Sequence, residues 1–218
     1  TSLKLAQPNF ISEMDVLPIP TDMDFFSPEE QGSSKLDKPL IGFAGRLDDP
    51  RKNPNLLFQS FSQIRKLKVN ASLHVTGSST PKLLALAEAH GISDHIKFLG
   101  RLSHDQLKGF YQSIALFLIP SEQEGLAIVG IEAMACGVPV ISTKCGGPEA
   151  YVQHGINGYI CEFCTVEIAK RASELLENEK QYLNFSKAAR ARVLEDYAQD
   201  AFEINLTKQW FSLWGVEM

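Results

Sequence analysis

Three short segments carry residue types that could do chemistry together. The first is Gly45-Arg46-Leu-Asp-Asp-Pro-Arg-Lys52-Asn-Pro54, a loop with cations at positions 46 and 52. It follows an apolar run and opens a helical pattern, so Arg46 and Lys52 would stand beside orphan helix-start amides, a ready anion site. Taken alone, the segment reads more plainly as two solvated loop cations. The second is Ser121-Glu-Gln-Glu124-Gly-Leu-Ala-Ile-Val-Gly-Ile-Glu132, which places two carboxylates eight positions apart around a turn and a helix start. Carboxylates accept paired hydrogen bonds from vicinal hydroxyls. Gly125 would free the backbone at the turn, and the amides of Gly125 to Ile128 would be helix-start donors. The plain alternatives are that Glu124 caps the helix and that Glu132 is a surface residue. Ile131, Ala133 and Met134 around Glu132 argue against the latter, because a carboxylate in apolar surroundings needs a partner. The third segment is Cys145-Gly-Gly-Pro-Glu149, a glycine-rich turn after a further apolar run.

Other candidates are weaker. Cys161-Glu-Phe-Cys164 is a lone pair of cysteines, and a zinc site needs two more ligands. The five histidines lack metal-binding spacing, and Gly155-Ile-Asn-Gly158 reads as a tight turn. Asp48-Asp49 reads as solvated.

Elements of regular structure must hold these segments. From Leu40 onward, short apolar runs alternate with helical patterns. The strand candidates are Ile41–Gly45, Ser72–Gly77, His95–Gly100, Ala115–Pro120, Val138–Ser142 and Gly158–Cys161. Several are apolar at nearly every position, the mark of strands buried on both faces in a parallel sheet. Helices are expected over Asn55–Lys68, Pro81–His90, Ser103–Gln112, Ile128–Cys136, Val166–Asn178, Gln181–Asp196 and Ala198–Leu213. Asn53 and Pro54 suit an N-cap and first turn, and Gly91 and Gly137 suit helix ends. The alternation predicts a doubly wound α/β sheet of about six parallel strands. Ligands then bind beyond the carboxyl ends of the strands, where all three segments lie. The first 39 residues differ. They hold an extended run at Asp15–Ile19, an expected capping box and short helix at Ser27-Pro-Glu-Glu30, and a loop over Gly32–Pro39.

Composition narrows the classes. The chain has 218 residues, 44% hydrophobic and 22% charged, as in an ordinary globular protein. A formal charge of −5 lacks the electrostatic footprint of a nucleic-acid binder. No apolar run approaches membrane-spanning length. Four cysteines do not make a disulfide scaffold, which points to a reducing cytoplasm. Thr1-Ser-Leu-Lys-Leu5 reads as the edge of a segment from a longer protein.

Taken together, the motifs resemble the C-terminal, donor-binding half of retaining GT-B glycosyltransferases of family 4, the glycosyl transferases group 1. The resemblance runs from Val16-Leu-Pro-Ile-Pro-Thr-Asp-Met-Asp-Phe-Phe-Ser-Pro28, similar to the segment between the two domains, to Cys161. Ile41-Gly-Phe-Ala-Gly-Arg-Leu47 looks like the first strand and phosphate loop, Glu124 to Glu132 fits the E-x7-E motif, and Ala133-Met-Ala-Cys-Gly-Val-Pro-Val140 with Gly146-Gly-Pro-Glu149 matches its tail. The usual Glu-Gly-Phe-Gly reads Glu124-Gly-Leu-Ala127 here, and the usual Pro-Asn-Gly-Val-Asp reads Pro18-Ile-Pro-Thr-Asp22.

The resemblance implies a Rossmann-like domain over 40–196, an interdomain segment and linker over 1–39, and a final helix over 197–218, bearing Trp210, Phe211 and Trp214, that crosses back to an N-terminal acceptor domain. It implies that Arg46 and Lys52 hold the donor diphosphate, with Gly45 in the same loop, and that Glu124 binds donor-sugar hydroxyls near the reacting carbon. Amides around Gly125, Leu126, Ala127 and Ile128 would help. Glu132 would grip the ribose diol, Leu99, Gly100 and Arg101 would flank the base, and Gly77 would let the backbone approach the nucleotide. Arg46, Lys52 and Glu124 would be the catalytic residues. The expected donor is a UDP-sugar, UDP-glucose or a relative, with GDP-mannose open. The expected acceptor is a glycan or glycolipid held by the other domain, in polysaccharide or glycoconjugate biosynthesis. No cofactor, metal, nucleic acid or membrane contact is expected. The rival readings are a non-catalytic nucleotide-sugar module and a sugar-nucleotide epimerase, and the E-x7-E spacing argues against the latter.

Overall fold

The structure, a computed structural model, describes residues 19–29 and 35–214, with side chains through Trp210. Six strands form one sheet: β1 (Leu40–Phe43), β2 (Ser72–Val75), β3 (Ile96–Phe98), β4 (Leu116–Ile119), β5 (Val140–Thr143) and β6 (Gly158–Cys161). Every pairing is parallel, in the order β3-β2-β1-β4-β5-β6. The winding reverses between β1 and β4, the point where such sheets open a crevice. All residues of β4 and β5 are buried, as their unbroken apolar runs require.

Most strands stop short of the expected ends. β2 and β3 end before Gly77 and Gly100, whose φ of 91° and 69° takes the chain out of the pleat. β4 ends before Pro120, which cannot donate to a ladder, and β5 starts after Pro139 for the same reason.

The helices are α1 (Pro54–Leu67), α2 (Pro81–Ala89), α3 (His104–Ser113), α4 (Ile128–Ala135), α5 (Thr165–Glu177), α6 (Glu179–Tyr197) and α7 (Gln199–Trp214). Their starts follow local chemistry. Asn53 and Thr80 cap α1 and α2 ahead of a first-turn proline, and Ser103 with Gln106 forms a full capping box on α3. One core cluster packs α1, α2, α5 and the start of α6 on one face of the sheet. A second packs α3, α4 and the rest of α6 on the other. The long α6 thus spans both layers.

The chain before β1 is part of this body. Met23 and Phe26 are buried in the second cluster, and the Thr21 amide donates to the Tyr197 carbonyl at 2.8 Å. Of the expected capping box and short helix at Ser27-Pro-Glu-Glu30, residues 27–29 are non-helical, and the Ser27 carbonyl accepts Gln112 Nε2 at 2.8 Å. The turn sits earlier, where the Asp22 carboxylate accepts the Phe25 amide. Glu30 and nearly all of the Asp15–Ile19 run lie outside the described residues.

Arg190 on α6 ties the parts together. Its guanidinium donates to the carbonyls of Phe26 at 2.6 Å, Ala135 at 2.8 Å and Met23 at 2.9 Å. The guanidinium's planar fork, with donors on separate nitrogens, suits this convergence better than a single ammonium. Removing the clamp leaves three carbonyls to find other partners. Arg190→Ala should therefore cost about 3 kcal/mol, read as a fall of roughly 10 °C in the midpoint of thermal unfolding. A midpoint within about 2 °C of wild type would contradict this role.

Candidate functional site

The carboxyl ends of β1, β2 and β3 meet at three glycines. Gly77 and Gly100 exchange both backbone hydrogen bonds, at 2.7 and 3.1 Å. A Cβ on Gly77 would stand 3.2 Å from the Gly45 carbonyl oxygen, and the Gly45 amide donates to Thr76 Oγ1 at 3.0 Å. A cavity of about 530 Å³ opens here, lined by Gly45, Arg46, Thr76, Gly77, Ser78, Gly100, Arg101 and Val129 among others. Arg46 and Arg101 are exposed at its rim. Four residues named from the sequence as nucleotide contacts, Gly45, Gly77, Gly100 and Arg101, thus share one wall with Arg46.

A second cavity of about 310 Å³ is lined by Arg51, Lys52, Gln123, Glu124 and Gly125. Lys52 Nζ donates to Glu124 Oε1 at 2.6 Å, and Ser121 Oγ donates to the same oxygen at 2.5 Å. The pair is largely shielded, with the side chains 21% and 10% exposed, so its attraction is little screened. Lys52 also reaches toward the first cavity, since a Cβ on Gly45 would lie 3.8 Å from its Cε. The Glu122 amide donates to the Arg51 carbonyl at 2.7 Å, which fastens the two loops to each other.

Several local expectations change. Asp49 is not simply solvated. It caps the short turn Pro50–Lys52 and binds Arg51, and the Arg51 hydrogen bond holds its carboxyl down at about 2. Glu124 does not cap α4, whose N-cap residue is Ala127 and whose first turn has no side-chain cap. The left-handed residue of this turn is Ala127, with φ 58°, and not Gly125. The helix begins at Ile128 with Ala127 as its N-cap, so the Gly125 and Leu126 amides precede the helix start and only those of Ala127 and Ile128 belong to it. Neither cavity is lined by Leu99, Leu126, Ala127, Ile128 or Glu132. Leu99, Leu126 and Ala127 pack against the core, and Ile128 is exposed.

Glu132 has the partner its surroundings demand. Tyr111, fully buried on α3, donates its hydroxyl to Glu132 Oε2 at 2.7 Å. Burial raises the Glu132 carboxyl above its ordinary range, against the Tyr111 hydrogen bond and the charge of His104. Three site residues escaped the sequence reading. Tyr111 belonged to an apolar helical stripe, Thr76 lay inside the expected strand Ser72–Gly77, and Ser121 carried only the weak signal of lying three residues before Glu124.

The family profile of glycosyl transferases group 1 matches residues 26–192, which include every site residue named above. The chain belongs to this family. Among curated relatives, the D-inositol 3-phosphate glycosyltransferase of Mycolicibacterium smegmatis is 30% identical over 190 residues, covering 83% of this chain and 44% of that protein. The chain thus spans under half the length of that relative. Among solved structures, the C-terminal domain of a glycosyl transferase group 1 family protein (LpcC) from Francisella tularensis superposes with a TM-score of 0.73 at 22% identity, covering 82% of this chain and 99% of that one. Anabaena HepE in complex with UDP and glucose superposes at 0.76 with 20% identity, covering 88% of this chain and 55% of that one. The shared fold is the Rossmann-like C-terminal half of a GT-B glycosyltransferase, as the motifs lead one to expect.

The environment of Glu132 has a measurable consequence in this group 1 domain. A carboxyl whose folded pKa is raised binds its proton more tightly when folded. It therefore favours folding at low pH, and that contribution is lost as pH rises from the unfolded value of 4.5 through the folded one. Glu132→Gln has no such titration. The unfolding midpoint of Glu132→Gln should gain on wild type as the pH is raised from about 4 to 7. A constant difference between the two proteins across that range would refute the assignment.

Proposed function

We propose that the chain is the donor-binding domain of a retaining hexosyltransferase. It takes a nucleotide-diphosphate sugar, with UDP-glucose or a related UDP-sugar ahead of GDP-mannose. The observation that carries the reading is the place of Lys52 beside both sets of loops. The cavity at Gly45, Gly77 and Gly100 has arginines at its rim, the other holds the Lys52–Glu124 pair, and Lys52 Cε lies 3.8 Å from where a Cβ on Gly45 would stand. A nucleotide against Gly77 and Gly100 would place its diphosphate by Arg46 and Lys52 and its sugar by Glu124. Base contacts fall to Leu99, Gly100 and Arg101, and the ribose diol to Glu132. Family membership and the UDP and glucose bound to the Anabaena neighbour support the choice of donor.

The chemistry follows from charge. As the sugar leaves, negative charge grows on the diphosphate and positive charge on the sugar ring. Lys52 has three ammonium donors and gives one to Glu124, which leaves two for phosphate oxygens. Glu124 Oε1 is taken by Lys52 and Ser121, which leaves Oε2 for the sugar hydroxyls. The proposal thus assigns the leaving charge to side-chain cations and needs no metal ion or cofactor. In this reading residues 1–39 form an interdomain segment, 40–196 the donor domain and 197–218 a helix that crosses to the acceptor domain. An acceptor glycan or glycolipid would be held by a domain outside these 218 residues. Among the described residues no helix is long and apolar enough to cross a membrane. A cytoplasmic setting is part of the proposal.

Two measurements test it. In calorimetric titration this chain should bind UDP and a UDP-sugar weakly, because domain closure normally covers the donor and expels water. It should release no transferred sugar. Turnover by the chain alone would show that it is not half of an active site.

The second concerns a full enzyme that joins this domain to an acceptor domain. There Arg46→Ala and Lys52→Ala should lower kcat by about 10²-fold or more with little change in donor KM, because their contacts strengthen as charge develops. A rise in KM with kcat intact would make them uniform binders and defeat the proposed role.

A further inference from the structure

The turn after β5 and the residue Tyr151 have no share in the donor contacts above, yet they are pressed against the Glu124 loop. The Glu124 amide donates to the Cys145 carbonyl at 2.8 Å. A Cβ on Gly147 would stand 2.6 Å from the Gly125 carbonyl oxygen and from Leu126 Cα, so only glycine permits this approach. After the single turn Pro148–Ala150, Tyr151 is fully buried, its ring edge-on to Tyr197 at 6.1 Å. Its hydroxyl donates to the Ala127 carbonyl at 2.9 Å. The helix leaves room for that hydroxyl, since a Cβ on Gly130 would lie 2.3 Å from it.

The residue it grips is the strained one. Ala127 is left-handed, with φ 58° and ψ 62°, a conformation that a Cβ disfavours. It is also an N-cap residue with no side-chain oxygen to satisfy the first turn of α4. Its carbonyl accepts the Gly130 amide at 2.8 Å together with the Tyr151 hydroxyl. If Ala127 relaxed to the right-handed region, α4 would wind backward through Leu126 and Gly125. That would draw Glu124 away from Lys52.

We propose that Tyr151 is a positioning residue whose hydroxyl holds Ala127 left-handed and so fixes the Glu124–Ala127 loop for the donor. The inference rests on the donor-binding reading above.

A double-mutant cycle tests it, using Tyr151→Phe in the Ala127 and in the Ala127→Gly backgrounds of this chain. Two quantities are read: UDP affinity by calorimetry, and hydrogen exchange of the Gly130 amide. Loss of one neutral hydrogen bond should weaken UDP about 3- to 10-fold in the Ala127 background. Exchange at Gly130 should quicken in parallel. In the Ala127→Gly background the same change should weaken UDP by less than about 2-fold and leave exchange unaltered, because glycine adopts the left-handed conformation without strain. A purely structural role for Tyr151 would give equal effects in both backgrounds and would overturn the proposal, as would unchanged exchange on Tyr151→Phe. Absence of UDP binding by the wild-type chain would defeat the donor reading alone, and the exchange cycle would still decide the role of Tyr151.

Discussion

A parallel sheet can pair its backbone only if all its strands run the same way, so their carboxyl ends share one edge. Everything chemical in this domain follows from that constraint. Six parallel strands bring loops 45–53, 76–80, 100–102, 120–127 and 144–147 to one side. The winding reverses between β1 and β4, and the loops after those two strands carry the Lys52–Glu124 pair. The helices between strands make the arrangement rigid by covering both faces with apolar side chains.

Within that edge lies the shielded Lys52–Glu124 pair. A buried ion pair is costly to assemble unless further hydrogen bonds complete it. Here Ser121 supplies one, and Ser121 is itself anchored because Thr143 Oγ1 binds its carbonyl at 2.5 Å. A chain of contacts therefore runs from β5 through Ser121 to the carboxylate. Backbone links, Glu122 to Arg51 and Glu124 to Cys145, hold the loops on either side. The site is thus set by packed backbone and not by long flexible side chains, which suits electrostatic preorganisation.

Much of this was legible in the residues. Fully apolar runs such as Leu116–Ile119 announced a parallel sheet, and Asn53-Pro54 announced a helix start. The position of Glu132 among apolar neighbours announced a partner without naming it. That partner, Tyr111, looked like any other aromatic on a helical stripe, because a hydroxyl that pairs across helices leaves no trace in spacing. Gly125 stood out as the residue that frees the backbone at this turn, because glycine is the type that tolerates positive φ. Ala127 takes that conformation against its preference, held by a tyrosine that follows it by 24 positions in the chain.

The sequence by itself determined the class of fold, the loops that reach the site and the groups that carry charge, since periodicity and residue chemistry are local properties. Tertiary structure alone decided the strand order, the pairing of Lys52 with Glu124 across 72 positions, and the clamp of Arg190 on Met23 and Phe26 across more than 160. Those depend on how far apart in sequence the contacting groups lie, and no local pattern records a contact that exists only after the sheet has closed the distance.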